Sequence, residues 1–328
     1  MKETLTYLFE GNKLTYEEAK NTLLSIGEGN HSEAEFASFL TVYLMRKITP
    51  IELAGFRDAM VQLCLAINLS AYNAIDIVGT GGDGKNTFNI STLASFIVAG
   101  AGIKVTKHGN YAVSSKSGSS NVLEFLGYKF SNNPDKLKSD LEKAGICFLH
   151  APLFHPAMKN IAPVRKALKV KTFFNILGPM INPSSPKYQL LGVYSKDIFE
   201  LYKNVYQNLD VNYSIVNSVD GYDEVSLTDN VRYANNSSEG ILSPGQFGFD
   251  KVTPEDLFGG NSVEEAAKIF IQILDGKGTK AQNNVAFANA AMAINTVHRE
   301  KSLEDCVLIA KESLISGKAK MALTNMVE

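Results

Sequence analysis

The sequence predicts an α/β protein in which a mostly parallel central sheet is flanked by helices, with a smaller all-helical N-terminal domain. Two patterns support this: no strand-like segment precedes Ala74, and short apolar strands alternate with helices after it. The length of 328 residues corresponds to about two domains. We expect a helical domain over 1–72 and an α/β domain over 73–328. Residues 166–187 carry a broken helical pattern that fits either domain. Part of this segment could therefore pack on the helical domain.

Capping patterns and the spacing of apolar residues predict the helical domain. Thr15 and Thr49 each precede a glutamate by three positions, which is the capping-box pattern, and a proline follows Thr49. After Thr49 the apolar residues recur at spacings of three and four, as on one buried helix face. A further helix is expected over Phe36–Leu44.

The α/β domain is predicted from short apolar runs bounded by turn residues. The expected strands are Ala74–Val78, Ile103–Lys107, Ile146–Leu149, Tyr188–Tyr194 and Tyr213–Val219. Helices are expected from Ser91, over Asn121–Leu126, from Asn133 to Gly145, and between the last two of these strands. Later, RYANN (232–236) and GQFGFD (245–250) are expected as antiparallel strands, and Thr253, Ser262 and Ser302 as the beginnings of C-terminal helices.

Composition and charge exclude several classes of protein. The 32 basic and 34 acidic residues give a formal net charge of −2, which argues against an extended polyanion such as nucleic acid as partner. Three widely separated cysteines favour neither a disulfide framework nor a structural zinc site. The longest apolar run, Leu93–Ile103, is about half of a membrane span, and the first residues lack the apolar core of a signal peptide. We therefore expect a cytoplasmic protein that binds neither membranes nor nucleic acid.

A glycine-rich loop, DIVGTGGDGKNTFNIST (76–92), connects the first predicted strand to a helix. Its backbone N–H groups and the following helix N-terminus suit an anion. The dinucleotide fingerprint matches its glycines, but no acid follows at the distance that ribose recognition requires. The nucleotide P-loop pattern also matches, except that Asn86 replaces the Ser or Thr that binds Mg²⁺. A merely tight turn remains the alternative.

Residues 84–123 contain no Asp or Glu, although they include four lysines and His108. A site for several phosphate charges must exclude carboxylates other than those that hold a metal. The second loop, KHGNYAVSSKSGSS (107–120), follows the second strand, and parallel strands would place it beside the first loop. Two neighbouring anion loops predict a ligand with two separated phosphates, with solvated surface lysines as the alternative.

Two further groups complete the candidate site. Asp223 and Glu224 in DGYDE (220–224) follow a strand and suit Mg²⁺, which binds a few carboxylates together with phosphate oxygens; an ordinary acidic turn is the alternative. His155 and Arg165 are ten residues apart, about three helical turns, and can face one side. Arginine suits a carboxylate ligand, although a surface arginine and a packed histidine are the alternative.

Taken in order, these motifs resemble those of the anthranilate phosphoribosyltransferases. The motifs are GTGGD (79–83), NIST (89–92), KHGN (107–110), SGS and VLE (117–124), FHPAM to Arg165 (154–165), FNILGP (174–179) and DGYDE (220–224). The resemblance implies transfer of phosphoribosyl from 5-phosphoribosyl 1-diphosphate to the anthranilate amine in tryptophan biosynthesis, with Mg²⁺ as cofactor. It also implies a homodimer formed through the helical part and a fold shared with pyrimidine nucleoside phosphorylases.

The resemblance also assigns expected roles to individual residues. The sugar-diphosphate contacts fall on Gly79, Gly82, Asp83, Thr87, Asn89, Ser91, Thr92, Lys107 and Ser119. The loop between Lys107 and Ser115 is expected to cover the phosphates, and Gly109 and Ser115 are also expected to bind substrate. The anthranilate contacts fall on Gly79, Asn110 and Arg165, with His108, Pro152 and His155 along the route, and the Mg²⁺ ligands on Ser91, Asp223 and Glu224. Lys107, Asn110 and Arg165 are the expected catalytic residues, because positioning and stabilisation of the leaving diphosphate are the main demands of a direct displacement.

Three positions depart from the family pattern, namely Asn121, Lys171 and Tyr222. None is an expected contact, although Asn121 removes a carboxylate near the phosphate loop and is expected to affect the packing there. The alternative functions are a pyrimidine nucleoside phosphorylase, which KHGN and DGYDE disfavour, and a nucleic-acid-binding relative, which the net charge of −2 and the retained acids disfavour.

Overall fold

The computed structural model describes residues 1–112 and 116–328. Seven strands form one sheet in this part of the chain. The strands are β1 Ile75–Gly79, β2 Val105–Gly109, β3 Ile146–His150, β4 Tyr188–Gly192, β5 Asn212–Ser218, β6 Val231–Asn235 and β7 Glu239–Leu242. Their order is β3-β2-β1-β4-β5-β6-β7, with β1 to β5 parallel and β6 and β7 antiparallel. The expected class, a mostly parallel sheet flanked by helices, is confirmed.

The helices occupy the N-terminal part and both faces of the sheet. They are α1 Lys2–Phe9, α2 Tyr16–Gly27, α3 Glu33–Met45, α4 Pro50–Gln62, α5 Ile90–Gly100, α6 Ser119–Phe125, α7 Pro134–Ala144, α8 Ala151–Phe154, α9 Met158–Leu168, α10 Phe174–Leu177, α11 Lys196–Tyr206, α12 Val263–Leu274, α13 Lys280–Val297, α14 Leu303–Ile315 and α15 Lys318–Val327. None of the helices in the described residues has the length and apolar character needed to cross a membrane.

Local sequence explains where the N-terminal helices begin. Thr15 and Thr49 form the predicted capping boxes, in which the threonine hydroxyl and the glutamate three positions on each satisfy a backbone N–H. Ser32 forms a third capping box at the start of α3. Helices α2, α3 and α4 bury their apolar side chains in a core that also includes Phe173, whose ring stacks on Phe56 with centroids 4.6 Å apart. The segment after α9 is thereby anchored on the N-terminal helices.

The sheet order brings the ends of β1 and β4 to a common edge. The two strands pair from Ile75 with Tyr188 to Gly79 with Gly192. The chain leaves β1 towards β2 on one side, whereas β4 continues the sheet on the other side, so the strand order reverses at this point. Open α/β sheets bind ligands in the crevice at such a reversal.

The predicted strand at GQFGFD is wrong. Residues Pro244–Phe247 form a 3₁₀ helix, because Ser243 and Gln246 make a capping box and Gly248 ends the turn with a left-handed backbone at φ 75°. The last strand is instead β7, a short and largely exposed edge strand. The helix expected at Thr253 is a single 3₁₀ turn over Pro254–Leu257.

Candidate active site

A cavity of about 810 Å³ lies at the carboxyl ends of β1 and β2, opposite α9 and α10. The predicted site residues that line it are Gly79, Gly82, Asp83, Thr87, Asn89, Ser91, Thr92, Lys107, His108, Gly109, Asn110, Ser119, Pro152, His155, Arg165, Asp223 and Glu224. Ser115 lies outside the described residues. Residues far apart in sequence therefore share one cavity, although their individual roles remain a prediction.

The glycine-rich loop after β1 needs glycine for two physical reasons. Gly81 and Gly82 have φ angles of 62° and 78°, in the left-handed region where side chains are strained. At Gly79 a Cβ atom would lie 2.3 Å from an oxygen of Asp223. The loop backbone therefore approaches the carboxylate directly, and α5 begins immediately afterwards with its N-terminus at the cavity.

Three carboxyl groups meet beside this loop. Asp223 accepts a hydrogen bond from the backbone N–H of Gly81 at 2.6 Å, and Glu224 accepts one from the N–H of Ser91 at 2.8 Å. Asp83 lies close enough to Asp223 for the two carboxyl groups to repel each other when both are charged. Burial and the neighbouring Asp83 raise the pKa of Asp223 to about 7, and burial together with Asp223 raises the pKa of Glu224 well above its ordinary value.

This cluster has the chemistry of a site that accepts a cation. Within the part of the chain that the structure describes, no lysine or arginine forms an ion pair with Asp83, Asp223 or Glu224. The same residues contain no ready-made set of three His, Cys, Asp or Glu ligands. Carboxylates beside an anion-binding loop are a donor set that fits Mg²⁺, which binds a few carboxylates together with water and phosphate oxygens.

Lys107 is a buried cation in the middle of β2. Its side chain is 2% exposed, and its Nζ donates to the carbonyl of Ile77 at 2.6 Å. Burial lowers the pKa of Lys107 to about 8, against the opposing effect of Asp76 and Glu224. A lysine of this kind is positioned in advance for an anion at the cavity and loses little mobility when the anion binds.

Arg165 lies on α9 on the opposite side of the cavity. Its guanidinium packs over the ring of Phe174, 5.1 Å from the centroid, and its Nη2 lies 3.5 Å from Oδ1 of Asn175. Among the described residues no carboxylate pairs with it, so its hydrogen-bonding edge is free for an anionic ligand. His155 precedes this helix, which begins at Met158, and it lines the same cavity as Arg165.

Sequence reasoning assigned no contact to Lys171, although it lines the cavity. Its Nζ donates to the carbonyl of Gly82 at 2.5 Å, across 89 positions of the chain, and lies 5.4 Å from the ring centroid of Tyr194. The only signal for it was its unusual identity just before the FNILGP motif. Of the other departures, Asn121 accepts hydrogen bonds from the N–H groups of Ala112 and Gly118, each at 3.0 Å.

Tyr222 is buried and carries the ammonium of Lys85 over its ring, 4.7 Å from the centroid. Lys85 also lines the cavity. Tyr222, the variable residue of DGYDE, therefore supports the ammonium of Lys85 beside the carboxyl groups.

Comparisons with known proteins agree with this arrangement. Residues 71–320 match the model of the glycosyl transferase family a/b domain, and residues 2–64 match the model of the helical bundle domain of that family. An anthranilate phosphoribosyltransferase of Flavobacterium psychrophilum is 57% identical over 326 residues, which cover 99% of this chain and 98% of that protein.

Solved structures give the same result. The fold is similar to anthranilate phosphoribosyltransferase from Thermus thermophilus, with a TM-score of 0.92, 33% identity and coverage of 98% of both chains. It is also similar to the Saccharomyces cerevisiae anthranilate phosphoribosyltransferase in complex with PRPP and Mg, with a TM-score of 0.91, 27% identity and coverage of 100% of this chain and 98% of that chain. The chain therefore belongs to the anthranilate phosphoribosyltransferase family.

Proposed function

We propose that this protein transfers the phosphoribosyl group of 5-phosphoribosyl 1-diphosphate to the amine of anthranilate, as a step of tryptophan biosynthesis. The products are N-(5-phosphoribosyl)anthranilate and diphosphate. One observation carries the proposal: a single cavity joins a glycine-rich anion loop and three carboxyl groups to an arginine that has no carboxylate partner among the described residues. This arrangement suits a substrate pair with phosphates at one end and a carboxylate at the other.

In the proposed reaction the bond between C1 of the ribose and the diphosphate oxygen breaks, and a bond from C1 to the amine nitrogen forms. The amine loses one proton to water or to the departing diphosphate. Positive charge develops on the sugar and negative charge on the diphosphate, so groups that face the diphosphate stabilise the transition state. Lys107 and the N–H groups of the glycine-rich loop supply this stabilisation, and Arg165 orients anthranilate through its carboxylate.

Ser91, Asp223 and Glu224 are the residues that would hold Mg²⁺. When bound, Mg²⁺ neutralises charge on the diphosphate oxygens. The raised pKa values of Asp223 and Glu224 support this assignment, because crowded carboxyl groups without a cation retain protons. Asn110 would contribute beside anthranilate. Its side-chain oxygen accepts the N–H of Tyr111 at 2.8 Å, and no described residue accepts a hydrogen bond from its amide N–H₂ group, which could therefore bind a ligand.

The proposal includes a homodimer formed through the N-terminal helices. Large apolar side chains are exposed there, at Tyr7 and Phe9 of α1, Leu44 and Met45 of α3, and Ile51 of α4. Exposed apolar groups of this kind mark interaction surfaces. Light scattering tests this part of the proposal: Phe9→Asp with Met45→Asp is expected to halve the mass in solution, whereas Ile315→Asp on α14 serves as the matched control. A wild-type protein with the mass of one chain contradicts it.

A cytoplasmic location is also part of the proposal. The three cysteines are free thiols in the structure, as expected in a reducing compartment.

Loss of anthranilate fluorescence on addition of 5-phosphoribosyl 1-diphosphate and Mg²⁺ tests the transferase activity. Reactions without either addition are the controls. The proposal is overturned if anthranilate is not consumed while thymidine or uridine is cleaved by inorganic phosphate, the result expected of a nucleoside phosphorylase. Tight, salt-sensitive DNA binding without turnover would also contradict it.

A further inference from the structure

Asp76 is a buried carboxylate beneath the cavity that the proposed reaction does not use. It is the second residue of β1, is 0% exposed and is absent from the cavity wall. Its Oδ1 accepts the backbone N–H of His108 at 3.1 Å, and its Oδ2 accepts the side-chain amide of Asn182 at 2.8 Å. A buried carboxylate is costly unless its surroundings compensate it, so its position calls for an explanation.

The strands on either side of Asp76 separate at this point. Within these two described strands, β1 pairs with β2 only at Ile75 with Val105. By contrast, β1 pairs with β4, and β2 with β3, through the last residue of each strand. The carboxyl ends of β1 and β2 therefore diverge, and each continues into one of the two loops that line the cavity.

Side chains bridge the gap where the ladder between β1 and β2 stops. Asp76 accepts the N–H of His108, and Nζ of Lys107 donates to the carbonyl of Ile77. Asn182 donates to the carbonyl of Thr106 at 2.8 Å from the same amide group that binds Asp76. These contacts satisfy backbone groups that a continuous ladder would otherwise have paired.

Asp76 and Lys107 also interact electrostatically. Asp76 counteracts the effect of burial on Lys107, and Lys107 does the same for Asp76. The pair makes no direct ion pair, because the Lys107 ammonium is directed to the Ile77 carbonyl. Loss of the Asp76 charge would leave a buried ammonium with weaker compensation, which favours loss of its proton or a different position of the side chain.

We propose that Asp76 is a positioning residue for the transfer reaction, which holds Lys107 charged and correctly placed for the diphosphate of the sugar substrate. Asp76 acts through Lys107 and through the backbone of His108, and touches no substrate. Asn182 supports it by fixing the second carboxylate oxygen. This inference rests on the proposed function, since it assigns the diphosphate as the group that Lys107 binds.

Asp76→Asn tests the proposal because it keeps the shape of the side chain and removes its charge. Asp140→Asn is the matched control: Asp140 is a buried carboxylate on α7 that binds Tyr128 and the ammonium of Lys136, and it lies outside the cavity wall. Asn182→Ala is the second variant, since it removes one donor from Asp76 without changing Asp76 itself. Urea unfolding measures the stability of each protein.

For Asp76→Asn we expect kcat/KM for the sugar diphosphate to fall about tenfold or more, the factor that corresponds to one pKa unit of lost interaction. The KM for anthranilate is expected to stay within about twofold, because Arg165 is untouched. Calorimetry with diphosphate and Mg²⁺ is expected to show a similar loss of affinity. Asn182→Ala is expected to show the same selective loss to a smaller extent, and Asp140→Asn to keep both KM values.

The proposal is overturned if Asp76→Asn lowers stability as Asp140→Asn does without any selective effect on diphosphate. It is also overturned if neither Asp76→Asn nor Asn182→Ala folds while Asp140→Asn does, since the network then serves the core alone. Absence of turnover in the wild type contradicts the proposed function instead. The calorimetric comparison still tests Asp76 in that case, because it requires only diphosphate and Mg²⁺.

Discussion

The Nε2 atoms of His108 and His155 lie 3.2 Å apart in the wall of the cavity, with the two rings inclined by 55°. A hydrogen bond between these atoms requires one ring to donate and the other to accept, so the pair cannot be doubly protonated. Burial lowers the pKa of His108 to about 3, and the adjacent His155 adds to this effect. Burial also lowers the pKa of His155 to about 4. This part of the wall is therefore uncharged at neutral pH.

We expect neither histidine to titrate between about pH 5 and pH 8, the range in which a free imidazole changes its charge. Because both pKa values are lowered, each ring is expected to gain a second proton only at a pH below this range. Nitrogen NMR of the imidazole rings, assigned with His108→Asn and His155→Asn, measures this directly. Free imidazole in the same buffers is the reference, and a midpoint near that of free imidazole for either ring would contradict the expected neutral pair.

Arg165→Ala is expected to raise the KM for anthranilate by about tenfold to a hundredfold, because hydrogen bonds to a charged group contribute about 1.5–3 kcal/mol. The KM for the sugar diphosphate should change little. Arg165→Lys should recover only part of the loss, since lysine lacks the planar fork that binds a carboxylate at two points.

Lys166→Ala is the matched control for Arg165, because Lys166 is the next residue on the same helix but is exposed and lies outside the cavity. Its KM for anthranilate should match that of the wild type. Equal effects of the two alanine substitutions would show that the charge of the helix, and not the position of Arg165, determines binding.

The fold was predictable where local chemistry decides it. The capping boxes at Thr15 and Thr49 define helix beginnings without tertiary information. Helix α13 was missed because residues on all of its sides are buried, which removes the periodic pattern by which a helix is recognised. The edge strand β7 was missed because its residues are mostly exposed, and its pairing with β6 depends on a partner that local sequence does not reveal.

The site was predictable to the extent that its residues follow strand ends. The glycine loop and KHGN were recognisable because each follows a strand, and parallel strands bring such loops to one edge. Contacts between residues far apart in the sequence were not predictable. Lys171 donates a hydrogen bond to Gly82, and Asn182 donates one to Asp76, 106 positions away. Such pairs depend on packing of the segment after α9, for which a single sequence contains no local signal.

Mg²⁺ dependence should vary with pH because of the crowded carboxyl groups. Burial and Asp83 raise the pKa of Asp223 to about 7, so below that pH Mg²⁺ must displace a proton to bind. We expect the Mg²⁺ concentration for half-maximal turnover to fall as the pH rises from about 6 to about 8, by up to about tenfold per pH unit for one released proton. Initial rates at a series of Mg²⁺ concentrations and pH values measure this.

In Asp223→Asn the Mg²⁺ concentration for half-maximal turnover should vary less with pH than in the wild type. Turnover should be lower at every Mg²⁺ concentration. Asp229→Asn is the control, because Asp229 pairs with Lys251 and lies outside the cavity. A half-maximal Mg²⁺ concentration that is independent of pH in the wild type would contradict the role assigned to the carboxyl cluster.

Glu52 is expected to contribute a pH-dependent part of the stability of the helical domain. Its carboxylate is 0% exposed and accepts hydrogen bonds from Leu14, Tyr43, Arg46 and Thr49. Burial alone would raise the pKa of Glu52, but the hydrogen bonds, led by that from Arg46, outweigh it and leave the pKa below its ordinary value. Glu52→Gln should lower the free energy of unfolding by about 3 kcal/mol, as expected when one partner of a buried ion pair is removed.

A lowered pKa in the folded state fixes the direction of the pH effect. The stabilisation from Glu52 is complete above the unfolded-state pKa of about 4.3 and is lost as the pH falls through the folded-state value. Urea unfolding at several pH values should therefore show a shallower acid dependence in Glu52→Gln than in the wild type. Glu18→Gln is the control, because Glu18 occupies the same capping-box position on α2 but is exposed. Equal losses in the two variants would mean that capping, and not the buried pair with Arg46, accounts for the contribution of Glu52.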